Sequence, residues 1–211
     1  MLVPEPRVLG SCTQPTLFII DHDTTASSAL SALLLEEGLS SQPFSNAEHF
    51  LNSYSIYQQG CVVSEINLMG MSGLELQHQL NQYKYALPVI FLSQRTDVPT
   101  VVRAMQQGAL NFFTKPLNNQ DFIPTVRTAL ALDKERRQWR LESMRTQARI
   151  DNLTRRERQV FELVIKKCSS KEIMEQLGIK LKTVEFHRAR MMEKMHASSL
   201  IELIEITQKW L

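Results

Sequence analysis

No run of about 18 apolar residues occurs in the 211-residue chain, and its first fifteen residues, MLVPEPRVLGSCTQP, hold no cationic stretch leading into an apolar one. The expectation is a protein that neither spans a membrane nor is secreted. Cysteine is scarce: Cys12, Cys61 and Cys168 are odd in number and spaced as neither a CxxC metal site nor a disulfide framework. Reduced thiols in a cytoplasmic protein are expected. The sequence also lacks a nucleophile triad, a metal-ligand cluster and a phosphate-cradling loop, which argues against an enzyme. What is present, 43% apolar and 22% charged residues, excludes disorder and a fibre, and suffices for one medium domain or two small ones.

The net charge of +2 hides an asymmetry. Residues 1–132 carry 6 Lys+Arg against 10 Asp+Glu, residues 133–150 carry 6 against 3, and residues 151–211 carry 12 against 9. An acidic front and a basic rear imply two domains with different partners, the rear one suited to nucleic acid.

In the front portion, β-rich runs Leu17 to Ile20, Cys61 to Val63, Val89 to Leu92 and Leu110 to Phe113, with a weaker one from Leu39 to Phe44, alternate with helical patterns. Ala29, Leu30, Leu33 and Leu34 recur at helical spacing, as do Val98, Val101, Val102 and Met105, and Leu74 and Leu76 lead to Leu80. Five strands alternating with helices predict an α/β, doubly wound parallel sheet, because parallel neighbours require crossovers that cover both faces. Ligands of such sheets bind at the carboxyl ends of the strands, which here carry Asp21, His22, Asp23, Glu65, Ser93 and Lys115.

After Leu132 the apolar content falls in a stretch without Gly or Pro, predicted to continue the preceding helix as a connector over 133–150. Leu141, Met144 and Ala148 lie at seam-like spacing within it. From Leu153 the pattern reads as four short helices. Thr154 to Glu157 has capping-box spacing, Ser169 and Ser170 precede a second helix, Gly178 ends it, and Thr183 to Met195 and Ser199 to Leu211 follow. Helix, Gly-containing turn and helix in a basic module is helix-turn-helix geometry.

The segments Leu153 to Val160, Lys171-Glu-Ile173, Leu177-Gly-Ile179 and Thr183 to Arg188 resemble the LuxR-type helix-turn-helix of the NarL/FixJ response regulators. The front resembles that family's flavodoxin-like receiver through Ile20-Asp21, Met71 to Glu75, Asp97-Val-Pro99, Ala104-Met105, Gly108-Ala109 and Lys115-Pro116. The resemblance implies a receiver over 15–132, a helical linker over 133–150 and an all-α, four-helix DNA-binding domain over 151–211.

It also implies a site. In a receiver one carboxylate accepts a phosphoryl group from a histidine kinase, neighbouring acids hold Mg²⁺, and a hydroxyl and a lysine grip the phosphate. Aligned to that pattern, the acceptor is Glu65, the acidic pair is Asp21 and His22, the hydroxyl is Ser93 and the lysine is Lys115. Glu65 is one methylene longer than Asp, and an imidazole replaces an oxygen ligand, so Mg²⁺ binding is expected to be weak or absent, with no cofactor.

In the rear domain, Val184, Met191 and Met195 form a core stripe, with Lys182, Glu185, Phe186, Ala189 and Glu193 on the opposite face. The expected DNA-contacting set is Lys182, Thr183, Glu185, Phe186, Arg188, Ala189 and Arg190. Within it, Glu185 faces a cytosine amino group, Ala189 a thymine methyl, and Lys182, Arg188 and Arg190 phosphates. The expected function is a phosphorylation-independent transcriptional regulator, a homodimer on double-stranded DNA that engages RNA polymerase and possesses the receiver surface for a histidine kinase. Two alternatives stay open: a conventionally or loosely phosphorylated regulator, and a pseudo-receiver adaptor that binds protein.

Overall fold

The computed structural model describes residues 14–55, 57–83, 86–94 and 97–210; Cys12 lies outside them. The chain divides into two compact units between Arg137 and Gln138.

The first unit alternates β1 (Thr16–Ile20), α1 (Thr24–Glu36), β2 (Ser40–Phe44), α2 (Ala47–Ser53), β3 (Gly60–Ser64), α3 (Gly73–Leu80), β4 (Val89–Ser93), α4 (Val98–Gln106) and β5 (Asn111–Thr114), and closes with the first part of α5 (Asn119–Asp151). The strands form one parallel sheet in the order β2-β1-β3-β4-β5. Strand alternation sends Phe18, Val62 and Phe91 to one face, where Phe50, Leu76, Leu80 and Ala104 cover them. Leu17, Ile19, Val63 and Ile90 point to the other face, against Leu30, Leu34, Phe122 and Val126. Burial on both sides explains why β1, β3 and β4 read as continuous apolar runs.

The spacing of Val98, Val101, Val102 and Met105 suggested a helix covering the sheet, and α4 corrects this in part. Only Ala104 of α4 is buried, while Val98 is 74% exposed and Val102 and Met105 nearly half exposed. The helix is held edge-on by amides instead: Gln77 Nε2 donates to the Ala104 carbonyl (3.2 Å) and Asn81 Nδ2 to the Gln107 carbonyl (2.7 Å).

At the amino end of the sheet, Gly60 adopts φ +139°, and a Cβ there would lie 1.7 Å from the Thr16 carbonyl oxygen. Its buried N–H donates to Asp133 Oδ2 (2.9 Å), which also accepts from Arg137 Nε (2.9 Å), and Arg137 Nη1 reaches the Tyr57 carbonyl (3.1 Å). These bonds fasten α5 to the loop entering β3, four turns beyond its start.

The second unit contains the rest of α5, α6 (Arg155–Ile165), α7 (Ser170–Leu177), α8 (Leu181–Met195) and α9 (Leu200–Trp210). Capping boxes open α6 at Thr154 and Glu157 and α7 at Ser169 and Glu172. Lys167 takes φ +64° and Gly178 φ +62° in the turns that follow. Ile150, Val160, Phe161, Ile173, Val184, Met191, Met195 and Leu203 form the core. Helix α8 starts at Leu181, two residues before the sequence-based start at Thr183. Lys180 offers no side-chain cap, but its carbonyl accepts the N–H groups of Thr183 (2.9 Å) and Val184 (3.1 Å), which suffices to open the helix.

Removing the Asp133 carboxylate strands a buried N–H and releases Arg137, so Asp133→Ala is expected to destabilise the first unit by about 1–3 kcal/mol. Arg127→Ala, which breaks the exposed pair with Glu37 (3.0 Å), is expected to cost under about 1 kcal/mol. Urea-dependent hydrogen exchange of β3 amides measures both; equal losses would contradict the burial argument.

Candidate functional site

Four strand ends build one pocket at the carboxyl edge of the sheet. Asp21 follows β1, Glu65 follows β3, Ser93 ends β4 and Lys115 follows β5, and the register places Ile20 beside Ser64 and Ser93 beside Thr114. Asp21, Glu65 and Ser93 are buried, although each is polar. Gly73 makes room for this edge: a Cβ there would lie 2.5 Å from the Glu65 carbonyl oxygen, and the Gly73 N–H donates to the Ile66 carbonyl (2.9 Å). The lining also includes His22, Asp23, Asn67, Gln94, Asp97 and Thr100.

The centre of the pocket is the Lys115 ammonium, whose Nζ lies 2.5 Å from Asp21 Oδ2 and 3.1 Å from Glu65 Oε2. The second oxygen of each acid is engaged by backbone: Asp21 Oδ1 accepts the Asp23 N–H (2.9 Å), and Glu65 Oε1 accepts those of Ile66 (2.8 Å) and Asn67 (3.3 Å). Burial alone raises the Glu65 pKa, but the Ser93 hydroxyl, the Lys115 ammonium and the Asn67 N–H outweigh it and hold the carboxyl below its ordinary value. Burial alone pulls Lys115 down, but Asp21 and then Glu65 outweigh it and hold the ammonium above its ordinary value. Both groups are therefore charged around neutrality.

His22 stands at the rim, 42% exposed, with Nδ1 3.8 Å from Asp21 Oδ1. Asp23 is committed elsewhere: its Oδ1 caps α1 through the Thr25 (2.9 Å) and Ala26 (3.1 Å) N–H groups, and the Ala26 bond leads the causes that lower its pKa. Among the described residues no group of three or more His, Cys, Asp or Glu is placed to hold a metal ion. Mg²⁺ demands several oxygen ligands in a near-octahedral set. Here the carboxylate oxygens face an ammonium and N–H donors, and His22 presents nitrogen at the rim.

The second candidate surface lies on α8. Lys182, Glu185, Phe186, Ala189 and Arg190 are exposed and Thr183 is half-buried, while Val184, Met191 and Met195 are fully buried. Arg188 is partly committed within the unit, its Nη1 donating to Ser170 Oγ (3.2 Å) at the first turn of α7. Lys194 Nζ bonds the buried Glu157 (2.7 Å) and the Asn152 carbonyl (3.2 Å), tying α8 to the start of α6. Sequence reasoning missed both ties, since neither 18 nor 37 residues of separation leaves a periodic signal.

Two family models divide the chain as the two units do: the response regulator receiver domain matches residues 17–127, and the luxR family of bacterial regulatory proteins matches residues 151–207. The chain is a LuxR-type response regulator. Response regulator protein TmoT of Ectopseudomonas mendocina is 33% identical to it, over 93% of this chain and 89% of that one. Transcriptional regulatory protein FixJ of Azorhizobium caulinodans is 37% identical, over 89% of each. The solved structure of response regulator StyR superposes with a TM-score of 0.84 at 35% identity, covering 94% of this chain and all of that one. This response regulator is accordingly a DNA-binding transcriptional regulator of two-component type, and its receiver implies a kinase partner. No described helix is long and apolar enough to cross a membrane.

The ion-paired pocket makes a pH prediction. Glu65 is depressed in the folded state, so its contribution is complete above the unfolded carboxylate value of about 4.3 and is lost as pH falls through the folded value. Lys115 is raised, so its contribution is complete below about 10.4 and is lost as pH climbs through the folded value. Lys115→Ala leaves two buried carboxylates uncompensated and is expected to cost about 3–5 kcal/mol between about pH 5 and 9, the penalty shrinking below about pH 4. Urea unfolding of both proteins across pH checks this; a penalty that stays constant into acid would contradict the assignment.

Proposed function

We propose that this regulator controls transcription without phosphoryl transfer to its receiver, the Lys115 bridge standing in for the contacts that a phosphorylated acceptor makes in the family. The observation that carries the reading is the placement of the Lys115 ammonium between Asp21 and Glu65, at 2.5 and 3.1 Å. In-line phosphoryl transfer tolerates little misplacement of its nucleophile. The Glu65 carboxylate is further out than an aspartate would be and is fully engaged, and His22 stands where the pattern calls for an acid. Mg²⁺ binding is weak or absent in this reading. A carboxylate brings one negative charge where a phosphoryl group brings about two, so the receiver state is biased rather than locked.

The active form in this reading is a cytoplasmic homodimer. Leu141, Met144 and Ala148 of α5 are all exposed and supply an apolar seam, Leu141 and Met144 each by about half. A domain with a net charge of +3 neutralises few phosphates, so two modules on paired half-sites are needed for tight binding. Helix α8 enters the major groove, with Lys182, Thr183, Arg188 and Arg190 on phosphates and Glu185, Phe186 and Ala189 at base edges. RNA polymerase is the downstream partner, and a histidine kinase acts on the receiver by docking rather than by transfer.

Intact-mass measurement after incubation with Mg²⁺ and acetyl phosphate tests the proposal. Wild type is expected to gain no phosphoryl group, nor is Glu65→Asp alone, while Glu65→Asp combined with His22→Asp is expected to regain acceptance. Stoichiometric phosphorylation of wild type in the pocket would falsify the proposal and establish a conventional response regulator.

A further inference from the structure

Phe186 is a large apolar residue on the outward face of α8 and is 58% exposed, more than Leu181 at the start of the helix. It is the sixth residue of the helix, in the half that begins at Leu181, and shares its face with Glu185 and Ala189 while the core stripe points the other way. The ring is not loose. The Arg190 guanidinium lies 5.9 Å from its centroid, Arg190 Nη1 is held by Glu193 (3.2 Å), and the His187 imidazole meets the ring edge-on at 5.5 Å. With a cation and an imidazole beside it, the residue still keeps more than half of its surface exposed.

A phenyl ring has no hydrogen bond to give or take, so it cannot read a donor or acceptor in the groove and gains nothing from a phosphate. The apolar feature that the major groove presents is the C5-methyl group of thymine. We propose that Phe186 is a specificity-determining residue of this regulator, its ring packing on a thymine methyl in each half-site while Arg190 holds the ring in place. The inference rests on the DNA-reading role of α8 given above, and it moves the thymine contact from Ala189, whose single methyl reaches less far from the same face. Arg190 then does two things at once: it cradles the ring and places a guanidinium beside the backbone flanking the thymine.

Uracil differs from thymine by that methyl alone, which makes the contact separable from every other. Full-length protein would first be used to select its preferred duplexes from a random pool. In the selected half-site each thymine is then replaced, one at a time, by deoxyuridine. At one position the replacement is expected to weaken wild-type binding by about fourfold, what burial of one methyl-sized group supplies. Phe186→Ala is expected to bind the thymine and uracil duplexes equally, and Phe186→Leu to keep part of the difference; since residue 186 lies outside the core, both variants should remain folded, with circular dichroism as the check. A thymine-to-uracil ratio of one at every position, or a ratio that Phe186→Ala leaves unchanged, would overturn the assignment of Phe186. Failure of the wild type to select any duplex would instead overturn the DNA reading beneath it.

Discussion

One ammonium group organises the receiver of this protein. Lys115 closes an ion triad with Asp21 and Glu65 at the point where β1, β3 and β5 end. Two carboxylates buried side by side repel each other and lack water to screen them, and the cation between them offsets both costs. The backbone completes the arrangement by offering N–H groups to the remaining oxygens. The Glu65 carboxylate meets this cation at 3.1 Å. Glu65 belongs to the same design as Lys115, and the triad's geometry follows from the sheet register that sets the strand ends level.

Much of this was legible beforehand because it is written in strong local signals. Strands buried on both faces read as unbroken apolar runs, and the rule that ligands gather at the carboxyl ends of parallel strands points to Asp21, His22, Asp23, Glu65, Ser93 and Lys115, of which His22 stands at the rim and Asp23 caps α1. The second unit was equally legible, since capping boxes at Thr154 and Ser169 and the left-handed Gly178 mark helix ends by local chemistry.

What escaped the sequence depends on partners far along the chain. The apolar spacing in α4 looks like a buried stripe, yet Val98, Val102 and Met105 face outward because Gln77 and Asn81 hold the helix by its backbone. Asp133 looks like one charge among many in a polar stretch. It is buried because Gly60, 73 residues away, needs an acceptor for its N–H. Arg188 reads as a DNA-facing cation, and the fold also engages it with Ser170, while Lys194, which no sequence pattern singles out, is held by Glu157. Polar ties of this kind have no period, and burial is what gives them weight.

The central claim is that the triad supports the working state with no phosphate present. The most direct measurement is the affinity of unphosphorylated full-length protein for a selected DNA duplex, wild type against Glu65→Gln, with sedimentation of both. Glu65→Gln keeps the shape of the side chain and removes its charge from beside Lys115. The account predicts that wild type binds as a dimer without any phosphodonor and that Glu65→Gln both binds and dimerises several-fold more weakly. Equal affinity and equal assembly of the two proteins would contradict it.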